Sequence, residues 1–424
     1  MALNLLGVFV PEIGFDALWY HLTLPKLWLL KRQWHFDGGL LYYSVMPRLT
    51  EAIFIPLIHL SGAIGPKFLQ FLSGIGTSFL IWKISRRLSL SPKISTLAVI
   101  LYYCSWLISW ESSSAYIDLF RGLLETLALY QFLFGSWIFG GIFLGLAVGT
   151  KWLALGSLLV YALVFGSKII IPALVIAGPW FLISFFYTGN PVYPLFSSIL
   201  QHSILEPLQI LKQLTFPSFY FTFPFDDFIN PLIGVVFVIA TFGLFSQNQT
   251  LKKISLVGVF GSLSTLILDP PSARFLLPYL PALVIASVYQ VSFLKKSYIF
   301  YAQNIVLLSA MGVFALRLIA FSKNIPFLLG QEDTNQYLTR LSDRLPDTFI
   351  DSDNYVAENL SRQDKILIDK LHNLYYFPYD FDHTSWAKDW DYDYLVTKDQ
   401  DPQEIKGKLQ HTNPIGIQIF KLKP

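Results

Sequence analysis

The sequence predicts an all-α polytopic membrane domain of about ten or eleven spans, followed by a small C-terminal α/β domain. Three observations lead to this. Of 424 residues, 54% are hydrophobic and 14% charged, against roughly 25% charged in a soluble domain. Apolar runs near the ~20 residues a spanning helix needs recur through the first three quarters of the chain. The charge is also split. Residues 1–320 hold 19 Lys/Arg and 11 Asp/Glu, and residues 321–424 hold 12 and 17. We therefore expect a transmembrane domain over 1–320 and a soluble domain over 321–424.

The spans fall near 66–83, 94–110, 118–134, 136–150, 152–165, 169–187, 229–246, 254–268, 274–292 and 297–317. Those around 136–165 are short, which suits tilted, re-entrant or protein-buried segments. One set of junctions carries Lys83, Arg86, Arg87, Lys93, Lys168, Lys252, Lys253, Lys295 and Lys296. The opposite set carries Glu12, Asp16, Asp37, Glu51, Glu111, Asp118, Glu206, Asp226, Asp227 and Asp269. The positive-inside rule makes the first set cytoplasmic. The acid-rich loops and the tail then lie outside, in a multi-pass protein of the cell membrane. Residues 1–10 are apolar but only half a span, and this parity needs 16–62 outside. A first helix missing from the sequence is expected.

Two external stretches, 16–62 and 188–228, do not read as spans. Asp16 to Trp34 is dense in Trp, Tyr and Lys and suits a helix lying in the interface. Pro47 to Leu60 reads alike, interrupted by Arg48, Glu51 and His59. In the tail, Glu332 to Leu345 reads as a polar helix. Residues 365–369, 393–397 and 415–422 read as strands, and Asp401, Pro402 and Glu404 make a helix start. The lone Cys104 excludes an intrachain disulfide framework and a Cys-based zinc cluster. No basic face outside the membrane loops is available for nucleic acid.

Five segments carry candidate chemistry. In FDALWYHLTLPKLW (15–28), Asp16 is either a helix N-cap or a carboxylate held at the membrane surface as a general base. Tyr20 and His21 follow one turn on, either binding a polar headgroup or sitting at the interface. In SAYIDLFRGLLETLAL (114–129), Asp118, Arg121 and Glu125 share one helix face. Charges in spans default to functional candidates, and Asp118 lies at the outer end, while Arg121 and Glu125 read as a packing ladder. In GLAVGTKWLAL (145–155), Lys151 either binds a lipid phosphate or snorkels as a flanking cation. YTGNPVYPLF (187–196) contains Asn190 and Tyr193 at a turn signal. DPPSARFLLPYLP (269–281) places Arg274 at the mouth of a span, where a guanidinium suits forked phosphate recognition. No P-loop, G-x-S-x-G or H-E-x-x-H occurs.

Taken in order and sidedness, these segments resemble the GT-C superfamily of integral-membrane glycosyltransferases, in the branch of protein O-mannosyltransferases and the lipid A aminoarabinose transferase. ISRRL (84–88) matches the Arg-rich cytoplasmic turn after the interfacial loop, and GLAVGTKW, GNPVYP and ARFLLPYLP match recurring segments. One departure is a single acid, Asp16 followed by Ala17, in place of the paired acids of the O-mannosyltransferases.

The resemblance implies inverting transfer of a hexosyl or pentosyl group from a polyprenyl-phosphate sugar to an extracytoplasmic glycan, lipid or protein acceptor of the cell envelope. Asp16 is then the base, with Asp118 orienting it or the acceptor. Lys151 and Arg274, with Tyr20 and His21, bind the donor phosphate. Glu51, Asn190 and Tyr193 belong to the acceptor side or the loop. No cofactor is obligatory. A divalent metal is possible, although the few acids form no dense ligand cluster. Two other classes stay open: an inactive GT-C-like scaffold or binding subunit, and a lipid-sugar transporter. A transporter would show inverted repeats and a polar midplane path, and neither is visible. The enzymatic reading requires Asp16, Asp118, Lys151 and Arg274 to converge.

Overall fold

A computed structural model of the chain describes residues 1–197, 230–265, 272–388, 391–401, 405 and 407–423. The external stretch from 198 onward, with Glu206, Asp226 and Asp227, lies outside the described residues. So do Asp269 and the expected helix start at Pro402 and Glu404.

The chain opens with α1 (Ala2–Val8), a π-turn at Ala17–His21, α2 (Thr23–Lys31) and α3 (Leu49–Ser61). Helices α4 (Ile64–Arg87), α5 (Pro92–Tyr103), α6 (Trp106–Glu111), α7 (Asp118–Phe134), α8 (Trp137–Thr150), α9 (Ala154–Phe165) and α10 (Ile170–Thr188) follow. Beyond residue 230 come α11 (Ile233–Phe242), α12 (Gln249–Ser264), α13 (Leu280–Val291) and α14 (Lys296–Phe321).

Two expected spans are interrupted. The run 94–110 breaks at Ser105, whose extended backbone (φ −80°, ψ 147°) separates α5 from α6. The run 274–292 begins as a 3-10 turn (Ala273–Leu276) and becomes α-helical only at Leu280. Pro278 and Pro281 lack the N–H groups that a continuous helix would need there. Among the described residues, two stretches, Ser167–Thr188 and Lys296–Leu328, are long and apolar enough to cross a membrane. Their outer faces are apolar, with Phe186 80% and Ile319 70% exposed, as is Leu163 of α9 at 88%. A surface of this kind suits lipid rather than water.

Small residues set a close contact between α8 and α10. A β-carbon on Gly145 of α8 would lie 2.5 Å from the Ala173 carbonyl oxygen of α10. Only glycine allows that approach, the small-residue packing typical of membrane helices.

The tail holds short helices α15 (Ile325–Leu328), α16 (Thr334–Arg340) and α17 (Tyr355–Asn359). Asp333 and Gln336 close a capping box on α16. A five-stranded sheet runs in the order β2-β1-β3-β5-β4. Its strands are β1 (Ile366–Ile368), β2 (Asp382–His383), β3 (Tyr394–Lys398), β4 (Lys408–Thr412) and β5 (Ile417–Lys421). β1 pairs in parallel with β2 and β3, and β5 is antiparallel to β3 and β4. The three expected strands are present. β2 is two residues long and β4 is largely exposed, so neither has a hydrophobic run to announce it.

The loop 16–45 is sandwiched under this sheet rather than laid bare. Leu24, Leu27 and Trp28 share a core with Phe349, Ile366, Phe377 and Val396. Lys26 Nζ donates to the Tyr375 and Phe377 carbonyls at 2.6 and 2.7 Å, tying α2 to the tail.

Candidate active site

Four local structures deliver charged side chains to one place. Asp118 is the first residue of α7 and fully buried. The partial positive charge of a helix N-terminus favours a carboxylate there. Lys151 follows the last residue of α8 with an extended backbone (φ −152°, ψ 123°), and its ammonium lies 2.8 Å from Asp118 Oδ1. Arg274 sits in the 3-10 turn capped by Ser272, whose hydroxyl accepts the Arg274 N–H at 3.3 Å. Its guanidinium donates to Asp16 Oδ2 at 2.7 Å and to Asp118 Oδ2 at 3.1 Å.

Two further residues complete the group, and the sequence reading did not single them out as site residues. Tyr116 lies beneath Arg274, its ring centroid 4.3 Å from the guanidinium carbon, a cation–π contact. Glu111, fully buried, is 3.6 Å from Arg274 Nε, within ion-pair range but too long for a hydrogen bond. Neither carboxylate oxygen of Glu111 has a hydrogen-bond partner among the described residues. Both precede Asp118 in the segment WESSSAYID, and that proximity was the available signal.

Asp16 stands at the N-cap position of the Ala17–His21 turn, but its side chain makes no capping bond there. Its backbone N–H donates to Tyr116 Oη at 3.4 Å. Glu12 fixes the segment just before it. Oε1 accepts from the backbone N–H groups of Ile13 (2.9 Å) and Gly14 (2.7 Å) and from Ser114 Oγ (3.0 Å), and Oε2 accepts from Ala115 N–H (2.6 Å). Gly14 is required, because a β-carbon there would lie 2.5 Å from the Tyr116 ring. Burial by itself would raise the Asp16 carboxyl pKa. The charge and hydrogen bond of Arg274, with the charge of Lys151, outweigh burial and hold it below the ordinary value. The Asp16 side chain keeps 22% exposure, while Asp118 keeps none.

The other candidates divide. His21 Nδ1 lies 2.7 Å from Glu51 Oε1, and Arg48 Nη1 donates to the same oxygen at 2.6 Å. Burial drives the His21 pKa down despite Glu51, so the ring is neutral near pH 7. Burial works against the Glu51 charge too, but Arg48 and His21 prevail and its carboxyl stays below the ordinary value. Tyr20 stacks on Tyr43, with centroids 4.3 Å apart, and the Arg48 guanidinium lies over both rings. This second network backs the first, since the His21 and Tyr116 rings are 6.0 Å apart. Asn190 and Tyr193 lie outside both networks. The Asn190 side chain bonds within its own turn, to Leu195 O and Val192 N. Tyr193 meets Phe36 edge-on at 5.9 Å. Arg121 pairs with Glu125 at 2.7 Å and bonds Ser157, a packing ladder between α7 and α9.

A cavity of about 600 Å³ opens beside this cluster, lined in part by Asp16, Tyr116 and Arg274. Among the described residues, no group of three or more His, Cys, Asp and Glu side chains is placed to hold a metal ion.

The helical bundle, its charged cluster under the loop and the terminal sheet define a GT-C-like fold. Two solved structures share it. ArnT from Cupriavidus metallidurans in the apo state aligns with a TM-score of 0.68 and 12% identity, over 100% of this chain and 96% of that one. The same protein bound to undecaprenyl phosphate aligns with a TM-score of 0.66 and 12% identity, over 100% and 97%. At this identity the likeness establishes the fold. No family model and no curated protein sequence matches the chain.

Proposed function

We propose that the chain is a multi-pass membrane glycosyltransferase that moves a sugar from a polyprenyl-phosphate donor to a hydroxyl-bearing acceptor outside the cytoplasm, by inverting displacement. The observation that carries this reading is the meeting of Asp16, Asp118, Lys151 and Arg274, from four separate segments, in one charged cluster. The fold shared with ArnT, whose structure holds undecaprenyl phosphate, supports a polyprenyl-phosphate donor.

The acceptor oxygen attacks the anomeric carbon from the face opposite the phosphate. As the new C–O bond forms, the bond to the phosphate oxygen breaks and its electron pair stays on the phosphate. The acceptor proton passes to the Asp16 carboxylate, which its cationic neighbours keep ionised and ready to accept. Arg274 and Lys151, each 15% exposed, offset the charge growing on the departing phosphate. Fixed cations at that oxygen favour the transition state over the ground state. Asp118 holds both cations and acts as a positioning residue.

A divalent ion does not suit this donor set. Arg274 already occupies the space among Asp16, Glu111 and Asp118.

The test is a transfer assay in membranes with radiolabelled polyprenyl-phosphate sugars and a panel of acceptors. Transfer that depends on Arg274 supports the reading. No transfer from any polyprenyl-phosphate donor, with folded protein present, contradicts it.

A further inference from the structure

The end of the bundle away from the charged cluster is built differently. α7 starts at Asp118, and α8 ends just before Lys151. The opposite ends of both helices therefore stand one helix length from the cluster. For the 17 residues of α7 that is about 25 Å at a rise of ~1.5 Å per residue, nearly the ~30 Å of a bilayer's hydrocarbon core. At that end cations lie over aromatic rings in two groups. Lys83 Nζ, on α4, lies 4.7 Å from the ring centroid of Tyr130, and the Arg87 guanidinium carbon lies 5.7 Å from that of Phe134, both rings belonging to the last turns of α7. Lys168 Nζ, in the 3-10 turn Ser167–Ile169, lies 5.0 Å from the Trp137 ring at the start of α8. Lys253 Nζ, on α12, lies 5.3 Å from the Phe165 ring at the end of α9. Phe132 of α7 stacks on Phe165 with centroids 5.1 Å apart and joins the two groups.

No acid balances these cations. Residues 52–110, 126–205 and 228–268, which supply all four cations and their rings, contain no Asp or Glu. The last acid before the rings on α7, Glu125, is paired with Arg121. Arg87 and Lys168 are exposed, and Lys83 and Lys253 half-buried. A ring attracts a cation through its face but brings no net charge, so the positive potential of the group stands. The side chains beside it are apolar and exposed: Trp137, Ile138 and Phe139 on α8 and Leu163 on α9. Tryptophan is favoured where headgroups meet hydrocarbon, and Lys and Arg near a bilayer surface attract anionic lipids. An acidic protein surface would answer the charge but not the apolar flank. A phospholipid answers both.

We propose that this end of the bundle binds the headgroup phosphates of anionic phospholipids, in the leaflet opposite the charged cluster. Lys83 and Arg87 form one seat, and Lys168 and Lys253 the other. The acyl chains lie against Ile138, Phe139 and Leu163. The proposal does not depend on the glycosyl-transfer reading, and its test measures no transfer.

The purified full chain in a neutral detergent is titrated with dioleoyl phosphatidylglycerol, and bound lipid is counted by native mass spectrometry. Dioleoyl phosphatidylcholine is the zwitterionic probe. The variants are Lys83→Gln/Arg87→Gln and Lys168→Gln/Lys253→Gln. Lys295→Gln/Lys296→Gln removes the same charge from two exposed lysines at the same end, between α13 and α14. Loss of either seat is expected to raise the phosphatidylglycerol Kd about tenfold, with phosphatidylcholine binding unchanged and the Lys295/Lys296 pair near wild type. Lys83→Arg and Lys168→Arg keep the charge and the ring contact and should bind as wild type, which separates lost binding from lost folding. An unchanged Kd in both seat variants overturns the proposal. So does an equal rise in the Lys295/Lys296 pair, which would mean diffuse attraction without seats. Inorganic phosphate should not displace the lipid, and displacement by it would overturn the assignment to a lipid headgroup.

Discussion

Asp16 and Asp118, about a hundred positions apart in the sequence, share a single guanidinium. Arg274 donates one Nη to each, at 2.7 and 3.1 Å. The loop acid and the buried helix acid are thereby held together, with Lys151 paired to the far oxygen of Asp118.

On the proposed mechanism this sharing gives Arg274 a structural part as well as a part in the reaction. Arg274→Ala leaves Asp118 and Glu111 buried with less compensation, and breaking a buried ion pair typically costs about 3–5 kcal/mol. We expect a lower Tm and, per folded molecule, a larger fall in turnover than in donor affinity. Arg274→Lys restores part of both, because a point charge replaces a fork. Thermal unfolding and rate against folded protein check this. A normal Tm with normal turnover contradicts it.

On the proposed mechanism, Lys151→Ala affects the same step. The Lys151→Ala/Arg274→Ala double variant should therefore fall short of the product of the single effects. A double-mutant cycle on transfer rate measures this. Simple multiplication of the two effects would assign the cations to independent roles.

Glu12 is the sequence-near anchor of Asp16. Glu12→Gln exchanges a carboxylate that accepts from four donors for an amide with one acceptor oxygen. We expect turnover to fall several-fold while donor KM holds, because the loop that aims Asp16 loosens. Equal changes in kcat and KM, or none, count against a positioning role.

Much of this was legible in residue order. The run of helices ahead of a small sheet, three of the five described strands and the four charges of the cluster follow from hydropathy, alternation and charges placed at span ends. The rest depends on tertiary contact. Whether Asp16 caps a helix or pairs with Arg274 is decided by an ion pair across 258 positions, which no local pattern encodes. The stretch 16–34 looked interfacial because Trp, Tyr and Lys suit a headgroup layer. Its Lys26 instead bonds tail carbonyls, and its Leu24 and Leu27 enter the tail's core. Tyr116 and Glu111 were passed over because a tyrosine and an acid at a loop edge are ordinary until Arg274 is placed against them.

The Asp16 pKa direction sets the pH behaviour. Its folded carboxyl titrates below the ordinary value near 3.8. The stability of its ion pair is therefore present above the unfolded pKa and is lost as pH falls through the folded one. The acid limb of kcat/KM that belongs to Asp16 should lie below pH 4, leaving the profile flat from pH 5 to 7. An acid limb near pH 6 that vanishes in Asp16→Asn would contradict this assignment.

The central claim is that Asp16 takes the acceptor proton, and one measurement bears on it most directly. Asp16→Asn keeps the size of the side chain and one oxygen for Arg274 but removes the basicity. Sugar transfer from a radiolabelled polyprenyl phosphate is measured per folded molecule, for wild type and variant. Loss of a general base typically costs roughly 10²–10⁴-fold, and a fall of that size with an intact Tm is the expected result. A rate within a few-fold of wild type would show that another group accepts the proton.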